Sequence, residues 1–394
     1  MDRWLARGAL LIDGTGRPPI ERGAVLIEGD RIVAAGREEN IRPEPGIKVM
    51  DCSDQVLIPG LIDCHNHCSL DTTLENYQAR MNDSDTEQMF RSIKNLKIDL
   101  EAGVTTIRCL GDKNFIDLAL KRAIESGRLE GPRLLVATRG IKAIHAHGVV
   151  AYPFSGPEEV RRAVRENIKA GADLIKIFIT AAIRNDSEIH CYLSKEEISV
   201  AVQEAHRVGL KTAAHCIGGI GLDHCITAGV DSIEHGYFTT DQQLDQMRKL
   251  KRWMVLTPSP FFSPERFRVR TPEIGKSYHR WRDTVSERMS MVIRSGINFA
   301  VGTDALHGGL AEELEYLVEF WGAKESDALM AATRKAAEFL GLEGEVGTLE
   351  AGKIADLVAV KGNPLKDIRA LRQVNMVINR GRLSHTETEA HKYP

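Results

Sequence analysis

From about residue 55 to residue 304 the chain alternates short apolar runs with charged stretches whose apolar positions recur at helical spacing. That is the pattern of successive βα units laid into a parallel sheet. The runs predict strands over Gln55–His65, Val104–Leu110, Arg133–Thr138, Leu174–Ile179, Lys211–His215, Ser232–His235, Trp253–Thr257 and Asn298–Asp304. Eight strands in this alternation predict a (β/α)8 TIM barrel. Helices fit between most of them. Glu158–Ala170 begins just after Pro157, Lys195–Val208 follows Ser194 with Glu197 completing a capping box, and Glu325–Leu340 carries an apolar stripe.

At both ends the period changes to short β-branched runs broken by Gly, Asn, Asp and Pro, from Ala9 to Met50 and from Gly352 to Leu383. Glu28-Gly29-Asp30 supplies turn chemistry between two such runs. The two terminal segments are expected to pair into one small β-sandwich domain, 1–57 with 345–394, around a barrel over 58–344. One stretch after the seventh strand, Ser259–Tyr278, is rich in Pro, Phe and Arg and lacks a clear period. It reads equally as an irregular connection or an active-site lid.

Length and charge narrow the function. The 394 residues accommodate a barrel of roughly 250 residues plus an appended domain. With 52 Lys and Arg against 55 Asp and Glu, the net charge of -3 gives no reason to expect nucleic acid or an anionic membrane as partner. A small-molecule substrate is expected instead, and homo-oligomerisation is left open. No apolar run approaches the roughly 20 residues of a membrane span, and the seven scattered cysteines suit reduced, packed thiols. A cytoplasmic location is the expectation.

In a barrel the reactive groups gather where strands end. His65 and His67 close the first strand, two apart and therefore on the same side. Alone that pair is weak, because the chain has 13 histidines and repeats the spacing at His145 and His147. Three later strands, however, also end in ligand-type side chains: His215 in KTAAHC, His235 in SIEHG and Asp304 in FAVGTD. Jointly they favour a metal site over separate structural roles. Cys64 and Cys68 flank the first pair, but alternation turns Cys64 to the other face, which argues against a zinc–thiolate cluster.

Lys176, inside the apolar run ADLIKIFIT, needs an explanation because a buried ammonium is costly. Beside four histidines and an aspartate, the favoured one is a neutral amine that takes up carbon dioxide, leaving a carbamate whose oxygens bridge two cations. His147 lies in a loop beyond the third strand, off the metal but placed to hydrogen-bond a substrate or polarise its carbonyl, with a plain loop histidine as the alternative. Arg139 and Arg184 near the strand ends are candidate carboxylate binders, although exposed arginines are usually solvated.

At this point the chain resembles the amidohydrolase superfamily, and within it the imidazolonepropionase-like and prolidase-like (Xaa-Pro dipeptidase-like) enzymes. The resemblance rests on the opening GTG and GDRIVAAG, PGLIDCHNH, LIKIFIT, AAHC, SIEHG, GTDA and the closing GTLEAGKIADLVAVKGNPL. It implies two divalent metals, with zinc the expected ion: His65 and His67 on the buried metal, His215 and His235 on the exposed one, carbamylated Lys176 between them. Asp304 would ligate the buried metal and act as the catalytic proton acceptor. Tyr237, two residues after His235, would touch the substrate carbonyl or carboxylate, or simply pack. Where prolidase-like relatives often carry Thr-Gly-Gly after the bridging lysine, this chain reads Thr180-Ala181-Ala182.

The expected reaction is hydrolysis of a C–N, amide-type bond by a metal-bridging hydroxide, in a small peptide-like, N-acyl amino acid or cyclic amide substrate. Two alternatives stand beside it. A mononuclear deaminase of nitrogen heterocycles needs an acid shortly after His215, where the chain reads Cys-Ile-Gly-Gly-Ile. A non-enzymatic scaffold of the same fold would be expected to have lost ligands, and none is missing here.

Overall fold

The computed structural model describes residues 3–43, 45–183 and 188–386. Both ends of the chain build one seven-stranded sheet in the order Arg382–Thr386, Val374–Asn379, Leu357–Val360, Lys48–Pro59, Arg3–Leu11, Ile20–Glu28, Arg31–Arg37. Its neighbours are antiparallel except Arg3–Leu11 and Lys48–Pro59, which run parallel. The two β-rich termini therefore join as expected, as a continuous sheet that doubles back on itself. Residue Arg31, on the outer edge strand, bridges Ile354, and the Ala355 amide donates to the Asp30 carbonyl. The fold encloses its own apolar core, with Leu11, Ile27, Leu57, Leu357 and Ile378 fully buried.

The middle of the chain forms parallel strands in two sheets. One contains Leu61–Asn66, Val104–Cys109 and Arg133–Val136. The other runs Asn298–Val301, Trp253–Leu256, Ser232–Phe238, Lys211–Gly218, Leu174–Phe178, Gly140–Ala143, Ala151–Phe154. Main-chain hydrogen bonds cross both seams: Asp173 N–H to the Val136 carbonyl at 2.9 Å and Asp304 N–H to the His65 carbonyl at 2.7 Å. The central strands are buried along their length, as expected when both faces are covered.

Two predicted strands divide. Gln55–His65 breaks at Gly60, so that Lys48–Pro59 belongs to the terminal sheet and Leu61–Asn66 to the parallel one. Only glycine fits the break, since a Cβ there would lie 2.2 Å from the Thr105 hydroxyl. Arg133–Thr138 stops at Val136 because Thr138 turns into a left-handed conformation (φ 60), and the chain resumes as the unpredicted strand Gly140–Ala143.

The helices follow their signals closely. Lys195–His206 carries the full Ser194/Glu197 capping box, Gly156–Ala170 has proline in its first turn, and Glu325–Leu340 is interrupted at Ala332–Thr333. The irregular reading of Ser259–Tyr278 is corrected. The stretch forms helices Ser259–Phe262 and Pro264–Val269 and starts a third, Pro272–Arg294. Ser263 and Thr271 cap the last two, each followed by a proline at the first helical position.

Candidate metal centre

The ends of several parallel strands bring their polar side chains together. His65, His235 and Asp304 bring one ligand atom each within 4.8 Å of one another. His65 Nε2 is 3.3 Å and His67 Nε2 3.6 Å from Asp304 Oδ1. The His65 ring centroid is 4.9 Å from that of His235, which is 4.6 Å from that of His215. All four histidines are buried.

What orients the rings lies behind them. His65 Nδ1 donates to Glu234 Oε2 at 2.9 Å, His67 Nδ1 to the Gly111 carbonyl at 2.9 Å, and His235 Nδ1 meets Thr257 Oγ1 at 2.8 Å. With Nδ1 engaged, Nε2 is the nitrogen left for a cation, the arrangement that fixes tautomer and ring direction in metal sites. Burial, the main cause in each case, pushes His67 down to about 3 and holds His215 and His235 well below the usual imidazole range. His67, His215 and His235 are therefore neutral and able to ligate.

Asp304 is kept ionised. Burial works against its charge, but the adjoining His65, with Nε2 at 3.3 Å from Oδ1, and the Arg266 guanidinium hold it well below the ordinary carboxylate range. Its backbone is left-handed (φ 49), as is that of His235 (φ 74), an uncommon conformation for such residues that marks functional strand ends. The strand before Asp304 approaches His65 so closely that a Cβ on Gly302 would stand 2.3 Å from the His65 nitrogen. Asp63 clamps the same junction, accepting from the amides of His65 (3.0 Å) and Thr303 (3.1 Å) and from Thr303 Oγ1 (2.7 Å).

Lys176 is fully buried, and its amine finds no hydrogen-bond partner among the described residues, nor does His215 Nε2. Burial brings the amine down to about 8, against the opposing pull of Glu234. Two orphaned nitrogens in a polar, acid-containing centre fit a site shaped for cations bridged by a modified lysine. An apolar core offers no such reason for leaving them unsatisfied.

The centre opens into a cleft of about 100 Å³. His147 reaches it, with its ring centroid 4.9 Å from that of His215, and burial lowers it to about 4, leaving a neutral hydrogen-bonding imidazole. Its companion His145 is exposed and packs edge-on against Tyr192. Tyr237 also lines the cleft, though its hydroxyl already donates to the Thr257 carbonyl at 2.9 Å. Arg139 is not a cleft residue: it pairs with Glu166 at 2.7 Å and lies over the Phe115 ring. Arg184 lies outside the described residues.

Sequence reasoning missed the far wall. Pro260, Arg266, Arg270 and Tyr278, all from the helical stretch that looked irregular, line the cleft beside Tyr77 and Phe178. The available signal was the pair of Ser-Pro and Thr-Pro helix starts at 263–264 and 271–272. Glu234 and Arg108, paired at 3.0 Å beneath His65, were also overlooked, since charges inside apolar strands carry no periodic signature.

Comparison with known proteins agrees with this geometry. The family described as "Amidohydrolase family" matches residues 56–383. An ochratoxinase from Aspergillus niger is 29% identical, over 93% of this chain and 83% of its own. An imidazolonepropionase from Mesorhizobium japonicum is 26% identical, over 89% and 90% respectively. Among solved structures, a Xaa-Pro dipeptidase with bound methionine in the active site superposes with a TM-score of 0.87 at 31% identity, covering 97% of this chain and 99% of that one.

Proposed function

Because the chain belongs to the amidohydrolase family, whose members are hydrolases, we propose that it is a binuclear enzyme cleaving an amide-type C–N bond in a small peptide-like or N-acyl substrate. The observation that carries this is the buried amine of Lys176, without a hydrogen-bond partner among the described residues, in a centre that gathers four buried histidines and an ionised Asp304. In this reading His65, His67, Lys176, His215, His235 and Asp304 hold two divalent ions, zinc by preference, with Lys176 as its carbamate. Carbamate formation consumes the neutral amine and carbon dioxide and releases one proton. The ions, when bound, supply Lewis acidity that activates water and polarises the scissile carbonyl.

The chain's own groups do the rest. Asp304 accepts a proton from the attacking water and returns it to the departing nitrogen, a role its depressed basicity and position suit. Neutral His147 donates to the carbonyl oxygen as charge builds there. Tyr237 holds the rim and shares its hydroxyl between Thr257 and the substrate. The surrounding framework is read as a single (β/α)8 barrel over 58–344, closed through the two seam hydrogen bonds, with 1–57 and 345–394 as a composite β-sandwich domain. Six of the seven free cysteines are buried, which suits a reducing, cytoplasmic setting.

Reloading metal-free protein with zinc, with and without bicarbonate, tests the reading. We expect close to two ions per chain and cleavage of N-acyl amino acids or dipeptides only when both are supplied. One ion per chain with ammonia release from heterocyclic amines would instead indicate the mononuclear deaminase.

A further inference from the structure

Two guanidinium groups line the cleft, and they differ in what they hold. Arg266 is committed: it donates to the carbonyls of Thr303 and Asp304 and stands 3.8 Å from the Asp304 carboxylate. Arg270 has no carboxylate partner among the described residues. Its hydrogen bond goes to the Pro260 carbonyl at 2.6 Å, and its planar head lies 4.0 Å from the Tyr278 ring centroid and 5.0 Å from that of Phe267. One carbonyl uses a small part of a guanidinium's five-donor fork. Burial disfavours the charge, and Arg266, close by, repels it.

Around this cation stand the phenols of Tyr77, Tyr237 and Tyr278, all on the cleft wall and all within electrostatic reach of it. Burial raises Tyr278 above the usual phenol range, so it stays a neutral hydroxyl donor, whereas the Tyr237 hydroxyl is already given to the Thr257 carbonyl. Much of the rest of the lining is apolar, including Leu70, Val150, Phe178 and Ile183. A half-buried cation with no carboxylate partner among the described residues, flanked by the Tyr77 and Tyr278 hydroxyls and by apolar side chains of the cleft, is complementary to a planar anion carried on a hydrophobic body.

We infer that Arg270, supported by Tyr278, is the residue that reads a free carboxylate on the substrate, so that the enzyme takes N-acyl amino acids or dipeptides in preference to neutral amides and cyclic imides. The inference rests on the hydrolase reading above and narrows its substrate class. Arg270 also replaces Arg139 as the candidate carboxylate binder on this rim.

The test compares kcat/KM of the zinc-loaded enzyme for N-acetyl-L-phenylalanine, N-benzoyl-L-leucine and L-methionyl-L-proline with that for their C-terminal amides. Losing a desolvated charge pair predicts an acid-to-amide preference of about 100-fold or more in the wild type, collapsing to within about fivefold in Arg270→Met and intermediate in Arg270→Lys. Calorimetry with 3-phenylpropionate and 3-phenylpropionamide gives a readout independent of turnover: the acid should bind about tenfold more tightly, and only when Arg270 is present. A wild-type preference near unity overturns the inference. So does an unchanged preference in an Arg270→Met protein of normal melting temperature and metal content. If no pair is cleaved yet 3-phenylpropionate binds in an Arg270-dependent way, the reading as a hydrolase of N-acyl amino acids and dipeptides falls and the carboxylate site stands.

Discussion

Glu234 and His65 form a buried carboxylate–imidazole pair, Oε2 to Nδ1 at 2.9 Å, with side-chain exposures of 0% and 1%. The other carboxylate oxygen is held by Arg108 at 3.0 Å and by Ser232 at 2.7 Å. Glu234 thus fixes the ring without reaching the cleft. Replacing it with glutamine removes the charge that sets the tautomer and leaves Arg108 uncompensated. Metal affinity should fall about 10- to 100-fold in Glu234→Gln, measured by competition with a chromogenic chelator. Unaltered affinity would show that Glu234 is there for packing alone.

Lys176 separates the catalytic need from the structural one. Lys176→Met exchanges an unpartnered buried amine for an apolar side chain of similar length. In the metal-free protein stability should hold or rise by about 1 kcal/mol or more, since an unsatisfied buried polar group is itself costly. On the binuclear reading, activity of the metal-loaded protein should fall by about a thousandfold. A metal-free melting temperature well below wild type would mean that the amine supports the fold without any metal.

Asp304→Asn keeps size and shape but abolishes the proposed proton acceptor. General acid–base catalysis accounts for roughly 100- to 10,000-fold in rate, and kcat should drop within that range while the fold persists. The decisive comparison is single-turnover rate against circular dichroism on the same sample. Substantial residual turnover would assign the proton transfer to another group.

His307 controls alkaline stability. Burial disfavours its charge, but Asp99 at 2.8 Å and the Leu70 carbonyl at 2.8 Å more than offset this and raise it to about 9. A folded value above the unfolded one means that the stabilisation is complete below about pH 6.5 and disappears as pH rises through about 9. The change is of order 3 kcal/mol. Chemical denaturation from pH 6 to 10 should show the decline, and His307→Gln should be less stable than wild type at pH 6 and flatter across the range. Parallel profiles for the two proteins would remove His307 as the cause.

Much of the candidate site was legible in the sequence because it depends on where apolar runs stop. His65, His215, His235 and Asp304 each terminate such a run, and strand geometry does the gathering. Cys64 likewise faces away from the ligands, packed with Ile62, Val255 and Ala300. What escaped depends on relations without a period. Glu234 pairs with Arg108 across 126 residues. Gly302 is required by the approach of His65, and a Gly302→Ala substitution should damage the centre through backbone displacement alone. Arg270, in the extended link after Pro264–Val269, and Tyr278, on Pro272–Arg294, belong to a stretch whose Pro, Phe and Arg content obscured the helical stripe.

The terminal sheet has a consequence for how the protein is made. Leu57, on a central strand, pairs with Ala359, so its neighbour on one side is synthesised about 300 residues later. At ribosomal speeds of 5–20 residues per second, that strand waits on the order of 15 to 60 seconds with one edge unpaired. The nascent enzyme passes through an interval in which its parallel strands exist while an open β edge remains available to other chains. Chaperone demand should therefore concentrate late in translation, and release of the C-terminal strands from the ribosome, rather than assembly of the metal-ligand strands, should mark the moment the molecule becomes safe from aggregation.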